Sequence, residues 1–114
     1  MHRGETDAAA SLADEAGVAV REARAALGPF AVLAASGPLH DAEKEYAEAR
    51  LTAAVVGGGP LPSAEELGIE VPAWLKGLAE AASELRRHLL DRLRAGDLSR
   101  ARSCSTRWTR CTRC

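Results

Sequence analysis

Residues 38–56 decide the fold, and they read PLHDAEKEYAEARLTAAVV. Their apolar residues recur at spacings of three and four, which is the period of one face of an α-helix. The stripe that this spacing predicts contains Leu39, Ala42, Tyr46, Ala49, Ala53 and Val56. Pro38 suits the first turn of a helix, and three glycines followed by Pro60 end it. We therefore expect one long amphipathic helix over residues 38–56.

Three further helices are predicted around this one. The first covers about residues 6–27 and ends where a glycine and a proline follow. A short helix opens at the capping box formed by Ser63 and Glu66. The last helix covers about residues 72–95, and its stripe contains Leu75, Leu78, Ala82, Leu85, Leu89 and Leu93. Amphipathic helices joined by mostly short links predict an all-α fold, an antiparallel helical bundle.

The composition of the 114 residues supports this fold class. Alanine and leucine dominate, aromatic residues make up only 4%, and β-branched residues are few, which is typical of packed helices. No apolar run reaches the length of a membrane span and the N-terminus lacks the apolar core of a signal peptide, so we expect a cytoplasmic protein without a membrane partner. The formal net charge of −1 means that nucleic-acid binding would need a local basic patch or assembly.

Residues 101–114 differ in character from the rest of the chain and read ARSCSTRWTRCTRC. The three cysteines could bind zinc, and the arginines with Trp108 could form a nucleic-acid-binding arm. If the gene is GC-rich, however, the same bases read one base out of frame encode a segment with amphipathic helical spacing, which the actual tail lacks. We therefore expect a helical region over residues 1–100 and, over residues 101–114, a disordered tail that is the product of a frameshift.

Two pairs of glutamates are the candidates for chemistry. Glu45 and Glu48 lie three residues apart, and Glu80 and Glu84 four apart, so each pair shares one helix face. If the two helices run antiparallel, the pairs can face each other, and four converging carboxylates repel unless a divalent cation lies among them. Mg²⁺ prefers such oxygen ligands and retains waters that can attack a phosphodiester. The alternative is a solvated surface, because Glu80 and Glu84 lie opposite the leucine stripe of their helix.

A basic flank lies beside the second acidic pair. Arg86 and Arg87 are adjacent, and Arg92 and Arg94 follow within two turns of helix. Such a flank could contact nucleic-acid phosphates without sequence specificity. The alternative is again a solvated helix face, since charged residues commonly cover the outer side of a bundle helix.

Four segments in combination resemble the prokaryotic translin/TRAX family in their order and spacing. They are DAEKEYAEA at residues 41–49, LPSAEELG at 61–68, WLKGLAE at 74–80 with ELRR at 84–87, and LRAGD at 93–97. The resemblance covers about residues 2–100. It implies a translin-like helical bundle that assembles into homo-oligomers and binds single-stranded RNA or DNA. In the TRAX branch of the family, acids on two helices bind Mg²⁺ and cleave RNA.

By matching positions, the resemblance assigns metal-binding and catalytic roles to Glu45, Glu48, Glu80 and Glu84. The family also has a helix before this region and helices after it. We therefore expect an incomplete bundle, in which the helices that would pack against part of the leucine stripe are missing. The expected function is that of a single-stranded nucleic-acid-binding protein which, in its intact form, is a Mg²⁺-dependent endoribonuclease. The alternative is a module for RNA or DNA binding, or for helical oligomerisation, without catalysis.

Overall fold

The computed structural model describes residues 3–28, 30, 37–99, 102, 106 and 109. Within these residues the chain forms no strand, and the helices whose bounds are described are α1 (Arg3–Leu27), α2 (Pro38–Gly57), α3 (Ala64–Leu67) and α4 (Val71–Arg94). The predicted all-α class is confirmed, and each predicted helix is present. The most extensive packing is between α2 and α4, and α1 lies against α2. None of the helices in this part of the chain is long and apolar enough to cross a membrane.

The link between α2 and α4 is held by local hydrogen bonds that the sequence predicts. The Oγ of Ser63 accepts a bond from the backbone N–H of Glu66 at 3.1 Å, and the Glu66 carboxylate accepts one from the backbone N–H of Ser63. Gly68 ends α3 in the left-handed conformation with φ of 68°, which few other residues adopt at low cost. The Trp74 indole then donates to the carbonyl oxygen of Pro62 at 2.9 Å. The backbone N–H of Glu70, at the end of the link, lies 3.4 Å from Oε2 of Glu43, so α4 begins beside the N-terminal half of α2.

A row of small residues lets α4 approach α2 closely. Ala73, Gly77 and Ala81 recur at every fourth position and are all buried. A Cβ atom at Gly77 would lie only 2.6 Å from the Cβ of Ala47 and 2.8 Å from the carbonyl oxygen of Lys44. Small residues along the i+4 ridge of a helix allow two backbones to pack at short range. Charged residues that flank this row are therefore brought together across the two helices.

The core is built mainly around α2. Ala47 and Leu51 have no exposed surface, and the surrounding core cluster contains Val20, Tyr46, Leu67, Ile69 and Ala81. Among the described side chains, α1 buries only Gly17 and Val20. A Cβ atom at Gly17 would lie 2.6 Å from the Tyr46 hydroxyl oxygen, so the missing side chain admits the phenol ring. Most of α1 consequently stays exposed to solvent.

The buried face of α2 differs from the predicted stripe. It consists of Leu39, Glu43, Tyr46, Ala47, Leu51 and Val55. The prediction is correct for Leu39 and Tyr46, but wrong for four residues that are exposed, namely Ala42, Ala49, Ala53 and Val56. Five of the buried residues recur at every fourth position and include the charged residue Glu43. They are Leu39, Glu43, Ala47, Leu51 and Val55. A prediction from apolar periodicity alone does not find this row, because it does not expect a charged residue such as Glu43 to be buried.

The buried face of α4 is also rotated from the predicted leucine stripe. Leu85 is buried as predicted, but Leu75 and Leu93 are 54% and 45% exposed. The predicted residues Leu78, Ala82 and Leu89 are only partly buried. The row of small residues, which permits the closer helix approach, faces α2 instead. Much of the leucine stripe therefore points away from the core.

The tail is largely outside the described residues. Only Arg102, Thr106 and Thr109 are described there, and each is helical, with the Thr106 hydroxyl donating to the Arg102 carbonyl oxygen at 2.9 Å. The three cysteines and Trp108 lie outside the described residues. The interpretation of this segment as a disordered frameshift product therefore stays a prediction.

Candidate acidic site between two helices

Three of the four predicted glutamates lie together. Glu45 and Glu48 of α2 and Glu80 of α4 each offer a carboxylate oxygen, and these three oxygens lie within 4.8 Å of one another. Glu80 follows Gly77 by one helical turn, so the close contact between the helices at Gly77 positions its carboxylate against α2. The spacing of three between Glu45 and Glu48 predicts that these two acids share one helix face.

Glu84 lies beside the cluster of three but is not part of it. Its carboxylate forms an ion pair with Arg87 on the next turn of α4. Its negative charge is nevertheless close enough to contribute to the raised pKa of Glu48. Glu84 also lines the same groove as Glu45 and Glu48. We call Glu45, Glu48 and Glu80 the acidic cluster, with Glu84 as its neighbour.

The environment of the acidic cluster shifts the pKa values of two of its members in opposite directions. Partial burial raises the pKa of Glu48, and the hydrogen bond to Glu80 and the negative charges of Glu80, Glu45 and Glu84 raise it further. The pKa of Glu80 is lowered instead, chiefly because Lys44 donates a hydrogen bond to its carboxylate. Relative to a free glutamate, the site therefore favours the protonated form of Glu48 and the ionised form of Glu80.

Lys44 is the residue of this site that sequence reasoning missed. Its Nζ lies 2.9 Å from Oε1 of Glu45 and 3.0 Å from Oε1 of Glu80. Hydrogen bonds to these two carboxylates raise the pKa of Lys44, so the ammonium stays charged. The available signal was its position on α2 four residues before Glu48, which is the same helix face. An ammonium ion of the chain itself therefore lies among the acids.

The basic flank is mostly neutralised by neighbouring acids. Arg87 pairs with Glu84, while the side chains of Arg94 and Asp91 approach to 3.4 Å. Arg86 is exposed and forms no ion pair with another residue of the described part of the chain. Of the two arginines proposed for nucleic-acid binding, Arg86 is thus the one whose charge is not already balanced within α4.

A second charged cluster, also missed, joins three parts of the fold. Glu43 has no exposed surface, and its Oε1 accepts a hydrogen bond of 2.7 Å from Nε of Arg24 on α1. Nη1 of Arg24 lies 2.7 Å from Oε1 of Glu70, just before α4. Burial works to lower the pKa of Arg24, but its hydrogen bonds to Glu43 and Glu70, together with their charges, outweigh that effect and raise it. Because Glu43 is inaccessible, we assign this cluster to stability.

A groove of about 1110 Å³ opens beside the acidic cluster. Its walls come from the N-terminal half of α1 and the C-terminal half of α2, and Glu45, Glu48 and Glu84 also line it. The apolar part of its lining is formed mostly by small residues, chiefly Ala9, Ala10, Ala13, Ala49, Ala53 and Val56. We call this feature the alanine groove. It combines an apolar interior with acidic side chains and with the ion pair of Arg50 and Asp14.

Comparison with known protein families, curated proteins and solved structures finds no match to this chain. The class that the fold and the site define is therefore an all-α protein with an acidic cluster between two packed helices. The resemblance to the translin/TRAX family rests on the sequence segments given above.

Proposed function

We propose that this chain is a single-stranded nucleic-acid-binding protein of the translin/TRAX type that hydrolyses RNA with Mg²⁺ at its acidic cluster. The observation that supports the proposal is the convergence of Glu45, Glu48 and Glu80 from two helices. These are residues that both the spacing and the family resemblance single out for metal binding. Glu84 would take part as a neighbouring acid.

The donor set fits a hard divalent cation. All three groups are carboxylates. Partial burial is the main cause of the raised pKa of Glu48, and the negative charges of Glu80 and Glu45 add to it. A bound divalent cation would relieve that repulsion. Mg²⁺ bound to such oxygens supplies a positive charge and an activated water for the attack on a phosphodiester. Glu45, Glu48 and Glu80 would hold the ion.

The protein's own groups set the conditions for that binding. Cation binding requires Glu48 in its ionised form, because a protonated carboxyl group is a poor ligand, and the raised pKa of Glu48 opposes that form. The Lys44 ammonium must leave Glu45 and Glu80, since it occupies oxygens that the cation requires. Arg86, exposed on the same helix as Glu80, would attract the phosphate backbone of the substrate.

The proposal is tested by metal binding and by RNA cleavage in parallel. Binding of Mn²⁺, a paramagnetic substitute for Mg²⁺, is followed by electron paramagnetic resonance in the wild type and in Glu48→Gln and Glu80→Gln variants. A fluorescent single-stranded RNA oligonucleotide reports cleavage with Mg²⁺ and with chelator. We expect both variants to lose binding and cleavage, and the control Glu22→Gln on exposed α1 to keep both. Equal Mn²⁺ binding by wild type and both cluster variants would refute the proposal.

The ion pairs of Lys44 favour a second candidate function. In this reading the acids help to join α2 to α4, and the protein is a helical binding or oligomerisation module without catalysis. The two functions differ in their response to chelation. RNA binding that is salt-sensitive but independent of Mg²⁺, without turnover, supports the module.

A further inference from the structure

The formal charge of this chain is divided unevenly along the sequence. Residues 1–85 contain six Lys and Arg against fourteen Asp and Glu, so their formal charge is −8. Residues 86–114 contain nine Arg against two Asp, so their formal charge is +7. The net charge of −1 therefore conceals a strongly positive C-terminal part. Such asymmetry is typical of chains that bind an anionic surface.

The outer face of α4 is apolar and exposed to solvent. It lies opposite the row of small residues that packs on α2, and we call it the leucine face. Leu75 is 54%, Leu90 38% and Leu93 45% exposed. The other apolar members of this face are Ala79, Ala82 and Leu89. Contiguous exposed apolar residues of this kind mark an interaction surface.

Basic side chains accompany the leucine face along the length of α4. Lys76, Arg87 and Arg94 lie along one edge of it, because their spacings of eleven and seven residues are close to whole numbers of helical turns. Arg86 lies in the middle of the face, between Ala82 and the leucines that follow. Long basic side chains can lie along an apolar surface while their charged ends reach polar surroundings.

The acids of α4 do not cancel this positive charge. There are three of them, and each is paired with a basic residue: Glu80 with Lys44, Glu84 with Arg87, and Asp91 with Arg94. Arg86 is exposed and forms no ion pair with another described residue. The remaining members of the acidic cluster lie on α2, which contacts the opposite face of α4. The leucine face therefore combines apolar surface with a surplus of cations.

This combination favours a lipid surface over a nucleic acid. Nucleic-acid phosphates would satisfy the arginines but would leave the exposed leucines in water. A helix that lies in the membrane interface buries its apolar face at the boundary between headgroups and acyl chains, while its basic residues meet anionic headgroups. Each part of the leucine face then has a partner.

We propose that the leucine face of α4 docks on the surface of a membrane that contains anionic lipids. The helix lies along that surface and does not cross it, since a surface helix needs only one apolar face. The expectation that the chain has no membrane partner rested on the lack of a spanning segment, and that lack does not bear on surface binding. The arginines of residues 100–114 add to the attraction through their charge alone.

The test is co-sedimentation of the full chain with unilamellar vesicles, without RNA or divalent metal. One set of vesicles contains phosphatidylserine and phosphatidylcholine in equal parts, and the other contains phosphatidylcholine alone. We expect the wild type to bind the anionic vesicles at least about tenfold more tightly, because each basic residue near an anionic surface adds to the attraction. Added salt should weaken this binding but leave a part that depends on the leucines.

Substitutions that keep the charge test the apolar part of the contact. The double variant Leu90→Gln and Leu93→Gln should lower the partition coefficient at least about tenfold. Its control is Leu12→Gln, because Leu12 is an exposed leucine of α1, outside the leucine face. Since every variant keeps the same C-terminal arginines, the differences between variants report on α4 alone.

A further substitution tests the charge. Arg86→Gln should lower binding to the anionic vesicles about fivefold and leave binding to phosphatidylcholine unchanged. Its control is Arg21→Gln, because Arg21 is an exposed arginine of α1, and this variant should bind as the wild type does.

Three results would overturn the proposal. The first is a wild type that does not bind anionic vesicles. The second is a double leucine variant that binds them as the wild type does, because charge alone would then hold the chain on the membrane. The third is a double leucine variant that loses affinity only for a single-stranded RNA, measured without vesicles, which would assign the face to nucleic acid.

Circular dichroism checks that the variants keep their helices. If the double leucine variant does not, Leu75→Gln at the other end of the leucine face provides a second exposed substitution. Because the vesicle measurements contain neither metal nor RNA, their result is independent of the nuclease proposal.

Discussion

The Nζ of Lys44 on α2 lies 3.0 Å from the carboxylate oxygen Oε1 of Glu80 on α4. The same nitrogen lies 2.9 Å from Oε1 of Glu45. A single ammonium group therefore balances two members of the acidic cluster and joins the two helices that carry them. A divalent cation at the acidic cluster would have to compete with the ammonium group of Lys44 for these carboxylate oxygens.

Replacing Lys44 should therefore strengthen binding of a divalent cation. In Lys44→Gln the two carboxylates lose their internal counterion, so we expect Mn²⁺ affinity to rise severalfold. The control is Lys76→Gln, because Lys76 acts on Glu80 through its charge alone and donates no hydrogen bond to it. Titration calorimetry measures both variants. An unchanged or lower affinity in Lys44→Gln would show that Lys44 does not compete for the site.

The raised pKa of Glu48 makes stability depend on pH. The unfolded carboxyl group titrates near 4.5, whereas the folded one holds its proton to higher pH, chiefly because of partial burial and then of Glu80. Its stabilising contribution is thus complete below pH 4.5 and is lost as the pH rises through the folded pKa. Glu48→Gln keeps a neutral side chain at every pH. We expect the unfolding free energy of the wild type, minus that of Glu48→Gln, to fall as the pH rises above 4.5.

Urea unfolding at a series of pH values measures this difference. The exposed Glu22→Gln corrects for the loss of one negative charge from the chain. A difference between wild type and Glu48→Gln that stays constant as the pH rises above 4.5 contradicts a raised pKa for Glu48.

The helices were predictable because their ends carry local signals. The capping box of Ser63 and Glu66 and the glycine that follows α3 act within a few residues, so no distant contact is needed to infer them. Three members of the acidic cluster were predictable for a related reason. A spacing of three places Glu45 and Glu48 on one helix face, and the small residues around Gly77 bring Glu80 of α4 against them.

The rotation of each helix about its axis was not predictable from the same pattern. The rotation depends on which residues let the backbones of α2 and α4 approach each other. The face of α4 that packs on α2 contains the small residues Ala73, Gly77 and Ala81, and not most of the larger leucines. Glu43 is buried because Arg24 reaches it from another helix. Such pairing over a long sequence distance has no signature in apolar periodicity.

The contact at Gly77 should control both stability and the site. A Cβ in Gly77→Ala would lie 2.8 Å from the Lys44 carbonyl oxygen and 2.9 Å from the Glu48 backbone nitrogen, and neither backbone atom can move alone. We expect a loss of ~1–3 kcal/mol in unfolding free energy, as for other overpacked cores. The helices should also separate, so Mn²⁺ affinity should fall in the fraction that stays folded. Gly57→Ala is the control, because nothing lies within 4 Å of its Cβ position.

Urea unfolding compares the two glycine variants directly. Gly57→Ala should keep or slightly raise the stability, since alanine restricts the unfolded chain. If Gly77→Ala is as stable as Gly57→Ala, then α4 is not held against α2 at that point.

The buried pair of Glu43 and Arg24 supplies the strongest expected effect on stability. Arg24→Met leaves a carboxylate with no exposed surface and without its cation, which typically costs ~3–5 kcal/mol. Arg50→Met is the matched control, because Arg50 pairs with Asp14 on the surface and such pairs contribute ~0–1 kcal/mol. Adding Glu43→Met to Arg24→Met should recover most of the lost stability, since an apolar pair of similar volume needs no charge compensation. Thermal unfolding followed by circular dichroism measures all of these variants. A double variant no more stable than Arg24→Met alone would mean that Arg24 acts through its contact with Glu70 instead.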